Sequence, residues 1–266
     1  MNIHAAYSER PAVPGRTILG IRVASLAWKD AEALLLRFVR ERRYTKIGFL
    51  NAHNANVAAR DREFADAMRD FLVLPDGVGV DIASKLLFGK SFPSNLNGTD
   101  FIPGFIASTR EPITVGLIGA KRSNAEGALR KLADMAPQHR FEFIHDGYFT
   151  PEEEPGILAH IERVRPDILL VAMGVPRQEL WIASKLTQAH CTLPMAVGAL
   201  LDFLSGAVPR APLWVRRWRL EWLFRLAVEP GRLWRRYVVG NPAFLMRVLR
   251  QKLTGHGGSL NDEVKA

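Results

Sequence analysis

The stretch that decides the fold covers residues 71–81 and reads FLVLPDGVGVD. A short apolar run ends in Pro75-Asp76-Gly77, and a helical pattern follows from Val80 to Leu87. A strand, a tight turn and a helix in this order place a side chain at the carboxyl edge of a parallel sheet, where open α/β proteins bind ligands. Asp76 lies at that turn, beside glycines that let a substrate approach the backbone. By itself, the spacing favours the simpler interpretation, in which Asp76 only caps the helix or completes the turn.

The same alternation of strands and helices runs along most of the chain. Apolar runs of strand type, such as Thr17 to Val23, Lys46 to Leu50 and Asp167 to Met173, are each followed by a helical pattern. We therefore predict a mostly parallel, Rossmann-like α/β/α sandwich with a basic, tryptophan-rich helical appendage at the C-terminus.

Polar loops follow several of the predicted strands. Four come directly after a strand, and a fifth polar loop is expected near them. The four cover residues 51–56, 75–79, 119–123 and 174–179, and the fifth covers residues 94–100. Because the carboxyl ends of parallel strands meet at one edge of a sheet, we predict a nucleotide or small-substrate site there. The turn at Gly119, with two cations before a helix, suits a diphosphate, but the spacing of a dinucleotide fingerprint is absent.

The composition is that of an ordinary soluble globular protein, with 48% hydrophobic and 24% charged residues. The single cysteine, Cys191, excludes an internal disulfide framework and fits a reducing compartment. No run reaches the roughly 18 consecutive apolar residues of a membrane-spanning helix. Residues 1–16 also lack the apolar core of a signal peptide. We therefore expect the protein to be made and to stay in the cytoplasm.

The net charge of +9 is concentrated in the C-terminal quarter of the chain. Between Arg210 and Lys252, eleven basic residues stand against only Glu221 and Glu229, and this difference accounts for the whole net charge. Tryptophan recurs every fourth residue in the same segment, at Trp214, Trp218 and Trp222. Aromatic and basic side chains along an amphipathic helix are typical of the membrane interface.

We predict that this segment binds an anionic membrane leaflet through Arg217, Trp218, Trp222 and Arg236. Nucleic acid is the other partner that a basic and aromatic surface can take. We expect no nucleic-acid partner, because the sequence contains no recognised nucleic-acid motif and the segment is rich in apolar residues. The tryptophans also fit a purely structural role, in which they pack the segment onto the α/β body.

Eight short motifs occur in a fixed order along residues 17–250. They are NAH at 51–53, PDGVG at 75–79, NGTD at 97–100, HDGYF at 145–149, GVPRQE at 174–179, RAP at 210–212, EWLFRL at 221–226 and EPGRLWRRY at 229–237. Together they resemble the WecG/TagA/CpsF family of bacterial glycosyltransferases. The NLNGTD version of the loop at 95–100 is most similar to the exopolysaccharide glucosyltransferase branch of that family.

The resemblance implies an inverting, metal-independent enzyme at the cytoplasmic face of the bacterial plasma membrane. Such an enzyme transfers a sugar from a UDP-sugar to a polyprenyl-diphosphate-linked saccharide, for surface or exopolysaccharide assembly. It implies that Asp76 is the general base and that the arginines Arg225, Arg232 and Arg235 steady the diphosphate. The sequence contains no convincing Asp-x-Asp metal motif, so we expect no metal and no cofactor beyond the donor substrate. The sequence leaves open whether the protein forms a homo-oligomer.

The resemblance and the strand-end loops together give the predicted site and the predicted domains. The predicted substrate contacts are Asn51, His53, Gly77, Asn97, Thr99, Asp100, Gly119, Gln178 and Glu179. The predicted catalytic core covers residues 17–209, and the appendage of residues 210–252 serves as membrane anchor and lid. Residues 1–16 and 253–266 are predicted to be flexible termini.

Two positions depart from the family's pattern. Phe49 stands where characterised relatives carry a threonine, and Asn95 stands where some carry an arginine. Both positions would contact substrate in those relatives, so the donor specificity of relatives does not transfer directly.

Two functions of other classes also fit parts of the sequence. A non-catalytic nucleotide-sugar sensor that docks on membranes would share the strand-end loops and the basic segment. A dinucleotide-dependent oxidoreductase would share the fold, but the missing glycine fingerprint argues against it.

Overall fold

The computed structural model describes residues 13–255 except Leu213, Arg216, Arg217 and Arg219. Within these residues one sheet contains the strands β1 (Gly15–Ile18), β2 (Ile21–Ala24), β3 (Lys46–Leu50), β4 (Phe71–Pro75), β5 (Thr114–Gly119), β6 (Arg140–His145), β7 (Ile168–Ala172) and β8 (Leu193–Ala196). Their order across the sheet is β1-β2-β4-β3-β8-β7-β5-β6. Every neighbouring pair is parallel except β1 with β2. The predicted mostly parallel α/β fold is confirmed.

The prediction of a single first strand was wrong. The predicted strand Thr17 to Val23 is a two-stranded antiparallel hairpin, in which Ile18 pairs with Ile21. The chain reverses at Leu19 and Gly20, whose φ angles of 50° and 82° are both positive. Two consecutive positive φ values are the geometry of a tight hairpin turn, and Gly20 adopts it without steric cost.

The helices follow the strands in alternation. They are α1 (Trp28–Arg40), α2 (Ala52–Ala58), α3 (Arg62–Ala67), α4 (Val78–Phe88), α5 (Gly98–Ser108), α6 (Arg122–Met135), α7 (Glu154–Val164), α8 (Arg177–Lys185), α9 (Leu200–Leu204), α10 (Glu221–Val228), α11 (Pro230–Trp234) and α12 (Gly240–Thr254). A π-helical turn, Arg235–Val239, joins α11 to α12. The predicted C-terminal helical segment is therefore present.

Two buried clusters lie on opposite faces of the sheet. Successive residues of β3 divide between them, because side chains alternate along a strand: Phe49 lies in one cluster and Leu50 in the other. Helices α1, α5, α6 and α9 contribute to the first cluster, and α2, α3, α4, α7, α8 and α12 contribute to the second. This is the three-layer sandwich that the alternating pattern predicts.

The last helix, α12, packs into the core although it lies inside the predicted appendage. Phe244 and Val248 are fully buried in the second cluster. The Gln251 side chain accepts a hydrogen bond from the Leu19 backbone N–H (2.9 Å) and donates one to the Thr17 carbonyl (3.2 Å). In contrast, α10, α11 and the π-turn bury only Leu233.

The described ends of the chain are also ordered parts of the fold. Arg16, in the predicted flexible N-terminus, lies in β1 and donates hydrogen bonds to Ser84 Oγ (2.5 Å) and to the carbonyls of Lys90 (2.7 Å) and Ser91 (2.8 Å). At the other end, α12 continues to Thr254. Residues 1–12 and 256–266 of the predicted flexible termini lie outside the described residues.

Candidate active site

The predicted polar loops lie at the carboxyl ends of parallel strands, where the sheet order brings some together and separates others. The ends of β4 and β3, carrying Asp76 and Asn51, are direct neighbours in the sheet. Neighbouring strands lie about 4.8 Å apart, so the end of β5 at Gly119 lies roughly 19 Å from Asp76. Asp76 and Asn51 therefore form the centre of the site. A substrate bound at Asp76 can also contact Gly119 only if it is extended enough to span this distance.

Asp76 is held in place from both its backbone and its side chain. Its N–H donates to the Leu50 carbonyl (2.9 Å), which continues the pairing of β4 with β3. Its Oδ2 accepts a hydrogen bond from Asn51 Nδ2 (3.0 Å). Helix α4 begins after Gly77 with no side-chain cap, so Asp76 is not the capping residue that the local sequence also allowed.

Asn51 is oriented towards Asp76 by its own helix. Its Oδ1 caps α2 by accepting hydrogen bonds from the backbone N–H groups of His53 and Asn54, each at 3.0 Å. Because the carbonyl end of the side chain is used in this cap, the amide NH₂ faces Asp76. A residue that looks like an ordinary helix cap thus also positions the candidate base.

The loop before α5 fixes the turn that follows Asp76. Asn95 Oδ1 accepts a hydrogen bond from the Gly77 N–H (2.8 Å), and the Leu96 N–H donates to the Pro75 carbonyl (3.0 Å). Gly77 has a φ of 91°, which favours glycine strongly. The sequence flagged Asn95 only as a departure from the family's pattern, and its supporting role depends on contacts that are distant in sequence.

The other departing position, Phe49, is buried beneath the same loop. Phe49 is nearly inaccessible to solvent, and a Cβ added at Gly98 would lie 3.3 Å from its ring. The ring therefore packs under the start of α5 and belongs to the core.

The electrostatic environment of Asp76 suits a proton acceptor. Burial raises the pKa of Asp76, and the hydrogen bond from Asn51 and the charges of Arg236 and Arg225 only partly offset this effect. Burial and the charge of Arg236 lower the pKa of His53 to about 4, so its imidazole is neutral at neutral pH. A base with a raised pKa accepts a proton more readily near neutral pH than an ordinary carboxylate does.

The predicted substrate loop at 97–100 is joined to the basic segment. Asn97 caps α5 through the Asp100 N–H (3.0 Å), and its side chain also donates to Asp100 Oδ2 (3.1 Å). Arg210 forms ion pairs with Asp100 (3.0 Å) and Glu221 (3.7 Å), and it donates a hydrogen bond to the Thr99 carbonyl (3.2 Å). These contacts hold the start of the basic segment against the first turn of α5.

The structure separates the three predicted diphosphate arginines. Arg225 is partly buried, with its guanidinium 5.0 Å from the centre of the Phe203 ring, and its charge acts on Asp76. Arg232 is exposed and is paired with Glu229. Arg235 is exposed and lies over the Trp234 ring at 5.4 Å.

Gln178 and Glu179 are buried in the first turn of α8, the helix that follows β7. Gln178 Oε1 accepts hydrogen bonds from the N–H groups of Gly174 and Gly198, each at 3.1 Å, so it links the loops that follow β7 and β8. Gln178 Nε2 donates to Glu179 Oε1 (2.9 Å). Glu179 is 1% exposed, and burial raises its pKa to about 7. These contacts use most of the hydrogen-bonding capacity of the Gln178 side chain within the protein.

Gly119 is required by the backbone geometry of the sheet edge. Its φ is 117°, and a Cβ at this position would lie 2.4 Å from the Ala172 carbonyl oxygen. Any other residue would displace the end of β7, so the glycine has a structural reason independent of a ligand.

The predicted membrane residues do not share one environment. Trp218 is 75% exposed, whereas Trp222 is partly buried with its ring 6.0 Å from that of Tyr237. Arg236 is also partly buried, and burial lowers its pKa while the charge of Asp76 partly offsets this effect. Arg217 lies outside the described residues.

The described residues contain neither a membrane-spanning helix nor a cluster of metal ligands. No helix among them is both long enough and apolar enough to cross a bilayer. In the same part of the chain, no three His, Cys, Asp or Glu side chains are grouped as metal ligands would be.

Sequence reasoning missed the parts of the site that long-range contacts create. The contacts of Arg210 with Thr99 and of Asn95 with Gly77 give no local signal, because they join residues up to 111 positions apart. The concentration of arginines after residue 210 and the resemblance, which implied Arg225, Arg232 and Arg235, both pointed towards a cationic side of the site.

A parallel sheet with an aspartate at its carboxyl edge and arginines beside it defines a candidate transferase site for a phosphorylated substrate. Comparison with known proteins makes the class specific. The model of the glycosyl transferase WecG/TagA/CpsF family matches residues 16–258, so this chain belongs to that family and is a glycosyltransferase. Family membership thus decides against the oxidoreductase and the non-catalytic sensor.

Three related proteins carry the same name, N-acetylglucosaminyldiphosphoundecaprenol N-acetyl-beta-D-mannosaminyltransferase. The protein of Bacillus subtilis strain 168 is 29% identical over 208 residues, which is 77% of this chain and 79% of that protein. The protein of Bacillus spizizenii strain W23 is 30% identical over 68% of each chain. The protein of Staphylococcus aureus strain NCTC 8325 is 33% identical over 52% of this chain and 53% of its own.

Proposed function

We propose that this glycosyltransferase moves a sugar from a UDP-sugar to a saccharide linked to a polyprenyl diphosphate, with inversion at the anomeric carbon and without a metal ion. The observation that carries the proposal is the arrangement around Asp76. Its carboxylate is oriented by Asn51, its pKa is raised by burial, and the positive charges of Arg225 and Arg236 act on it.

The chemical step divides between the acidic and basic parts of the site. The acceptor hydroxyl oxygen attacks the anomeric carbon on the face opposite UDP and forms the new glycosidic bond. Asp76 takes the hydroxyl proton, while the bond between the anomeric carbon and the phosphate oxygen breaks. UDP leaves with the electron pair of that bond, and nearby guanidinium groups stabilise the charge that develops on its diphosphate.

The proposed acceptor class rests on the relatives. Each of the three is named for transfer to N-acetylglucosaminyl-diphosphoundecaprenol, a sugar on a polyprenyl diphosphate. Their names give N-acetylmannosamine as the transferred sugar, whereas the loop at 95–100 resembles a glucosyltransferase branch. We therefore propose only the acceptor class. The UDP-sugars of N-acetylmannosamine and glucose are both candidate donors, and their transfer is to be compared. The product would enter surface or exopolysaccharide assembly.

A lipid-linked acceptor requires the enzyme to work at a membrane, and the basic segment supports peripheral docking there. Trp214 and Trp218 are 64% and 75% exposed, and Leu223, Trp234 and Val238 are also exposed in this segment. Large apolar side chains among arginines suit the headgroup region of an anionic leaflet. We propose residues 210–239 as the membrane-docking appendage on the cytoplasmic face, and we assign α12 to the core because of its packing.

The function is tested with the full chain on anionic vesicles that contain N-acetylglucosamine linked to a polyprenyl diphosphate. UDP-glucose and UDP-N-acetylmannosamine are supplied in turn, and UDP release and the mass of the lipid product are measured with and without EDTA. We expect acceptor-dependent UDP release, a product heavier by one sugar with an inverted anomeric centre, and no loss with EDTA. Binding of a UDP-sugar without transfer to any such acceptor would contradict the proposal.

A further inference from the structure

One proline interrupts the hydrogen bonds of α5. Pro103 lies inside this helix and has no backbone N–H. In a regular α-helix the carbonyl of Thr99, four residues earlier, would accept a hydrogen bond from this position. Arg210 Nη1 takes the place of the missing donor, because it donates a hydrogen bond to the same carbonyl (3.2 Å). A residue 111 positions along the chain therefore completes the first turn of α5.

The same guanidinium group also contacts two carboxylates on different helices. Arg210 Nη2 lies 3.0 Å from Asp100 Oδ1 in α5 and 3.7 Å from Glu221 Oε1 in α10. The other oxygen of Asp100 accepts a hydrogen bond from Asn97 Nδ2 (3.1 Å), so both oxygens of this carboxylate are held. A planar guanidinium can serve several acceptors at once, whereas a lysine ammonium is a compact point charge. Arg210 thus joins the start of α5 to the start of α10.

Helix α10 depends on contacts of this polar kind for its position. None of its residues is buried, so the apolar packing that fixes most helices in proteins is missing here. Glu221 pairs with Arg210, and the Arg225 guanidinium lies 5.0 Å from the centre of the Phe203 ring. Arg210 lies over the same ring at 5.9 Å. The Trp222 ring contacts the π-turn, which belongs to the same segment and gives no support from the core.

The position of α10 matters because its side chains act on the candidate base. Glu221 and Arg225 are one helical turn apart and therefore lie on the same side of α10. Burial has the largest effect on the pKa of Asp76 and raises it, while the charge of Arg225 lowers it and that of Asp100 raises it. Burial also raises the pKa of Glu221, and the charge of Arg210 opposes this effect. The groups that Arg210 holds are thus among those that set the charge around Asp76.

We propose that Arg210 is a positioning residue, which fixes α10 against the first turn of α5 and thereby sets where the side chains of α10 lie relative to Asp76. This inference rests on the proposed function, since it says how the site of that reaction is assembled. It also gives a reason for Pro103, because a residue with an N–H at this position would compete with Arg210 for the Thr99 carbonyl. Arg210 needs no contact with the substrate for this role.

The first test measures the position of α10 without relying on activity. Hydrogen–deuterium exchange of the full chain, followed by mass spectrometry, compares the backbone amides of residues 221–228 with those of residues 240–254. In Arg210→Gln we expect the α10 amides to exchange at least about fivefold faster, since a helix that loses its anchor opens more often, and the α12 amides to be unchanged. Glu221→Gln should act like Arg210→Gln, because it removes the partner of Arg210 in α10.

Three further variants provide the rescue, the coupling and the control. Arg210→Lys keeps the charge but not the planar fork, so its α10 exchange should lie between wild type and Arg210→Gln. The double variant Arg210→Gln/Glu221→Gln should exchange no faster than Arg210→Gln, since both changes break the same contact. Arg40→Gln removes an exposed arginine that pairs with Glu111, and it should leave α10 exchange within about twofold of wild type.

Sugar transfer by the same proteins links the position of α10 to the reaction. We expect kcat/KM to fall about tenfold in Arg210→Gln, because the side chains of α10 are no longer held in place beside Asp76. Arg210→Lys should recover part of this loss, and Arg40→Gln should keep the wild-type rate. A fall of the same size at unchanged α10 exchange would overturn the positioning role, since Arg210 would then act on the substrate directly.

The exchange measurement also decides the proposal when activity cannot. Exchange of α10 within about twofold of wild type in both Arg210→Gln and Glu221→Gln overturns it. A thermal melt of each variant checks folding, and if Arg210→Gln does not melt cooperatively, Arg210→Lys and Glu221→Gln carry the same comparison. If the wild type transfers no sugar, the proposed function fails, whereas the exchange rates still show whether Arg210 fixes α10.

Discussion

The two sides of the candidate site are built in different ways. The acidic side lies on strands whose residues are nearly all buried, and Asp76 is fixed by Leu50, Asn51 and the loop at 94–97. The basic side lies on α10, α11 and the π-turn, which together bury only Leu233. It is tied to the core mainly at its two ends, through Arg210 and through Asn56 with Gly240.

This difference indicates that the two sides have different freedom to move. A side chain held by buried strands is already positioned for proton transfer before substrate binds. A segment with little buried apolar surface has a low local stability and can adjust around a ligand or a membrane. The proposed function thus combines a preorganised candidate base with a cationic side that has the freedom to adjust around the substrate.

The largest expected effect tests the preorganised side. Asp76→Asn keeps the shape and the contact with Asn51 but removes the proton acceptor, so we expect kcat to fall by about 10³-fold with no loss of stability. Sugar transfer and a urea titration measure the two quantities. Asp66→Asn, an exposed aspartate of α3, serves as the control and should leave both unchanged. Transfer at more than a tenth of the wild-type rate would show that Asp76 is not the base.

The pH dependence of kcat/KM tests the same carboxyl group of Asp76. Protonated Asp76 cannot accept the hydroxyl proton, so kcat/KM should fall as the pH is lowered through its pKa. Because burial raises that pKa, the fall should begin at a higher pH than for an ordinary aspartate. A profile that stays flat down to the usual range of aspartate would contradict this assignment.

The next prediction tests where the core ends and the appendage begins. Phe244 of α12 is fully buried, so Phe244→Ala should lower the free energy of unfolding by about 3–5 kcal/mol. Met246, two residues later, is 68% exposed, and Met246→Ala should change it by less than about 0.5 kcal/mol. Urea unfolding followed by circular dichroism measures both. Equal small effects would mean that α12 belongs to the appendage.

The next prediction concerns Glu179, the buried acid in the first turn of α8. The pKa of Glu179 is raised to about 7 in the folded protein, against 4.5 for an ordinary glutamate. Between these values the unfolded chain releases the proton and the folded protein keeps it, so stability falls as the pH rises from about 4.5 to 7. The full loss is about 3 kcal/mol, since each pKa unit is worth about 1.4 kcal/mol.

Glu179→Gln should remove this dependence, because its side chain is neutral at every pH and can still accept from Gln178. We expect the variant to be more stable than the wild type at pH 8 and equal to it at pH 4, as measured by urea unfolding at both values. Glu162→Gln, at an exposed position of α7, is the matched control. Parallel pH curves for wild type and Glu179→Gln would contradict the buried charge argument.

The smallest effect tests the exposed side. Trp218 is 75% exposed, so Trp218→Ala should leave the stability within about 0.5 kcal/mol. Loss of its interfacial contact should weaken binding to anionic vesicles by about five- to tenfold in a pelleting assay. Met135→Ala, an exposed apolar residue at the end of α6, should not change vesicle binding. Unchanged binding in Trp218→Ala would remove this tryptophan from the membrane contact.

The sequence predicted the fold well, and its errors have identifiable causes. Apolar runs followed by helical patterns gave the strand and helix sequence, because burial on both faces leaves a strong signal in parallel strands. The hairpin at Leu19 and Gly20 was missed, since its two strands are short and the turn contains only one glycine. The packing of α12 was missed, because its basic residues suggested the surface while Phe244 and Val248 carried the core contact.

The sequence alone indicated the class of this protein and the position of its proposed base. Asp76 follows a buried strand and precedes a helix, and local chemistry of that kind is readable without coordinates. Only the tertiary structure decided which partners meet it. Strand order brings Asn51 beside Asp76, and the course of the chain through the π-turn leaves Arg236 partly buried and Arg235 exposed. Such choices depend on long-range packing and on small rotations of a helix, which a pattern of residue types does not encode.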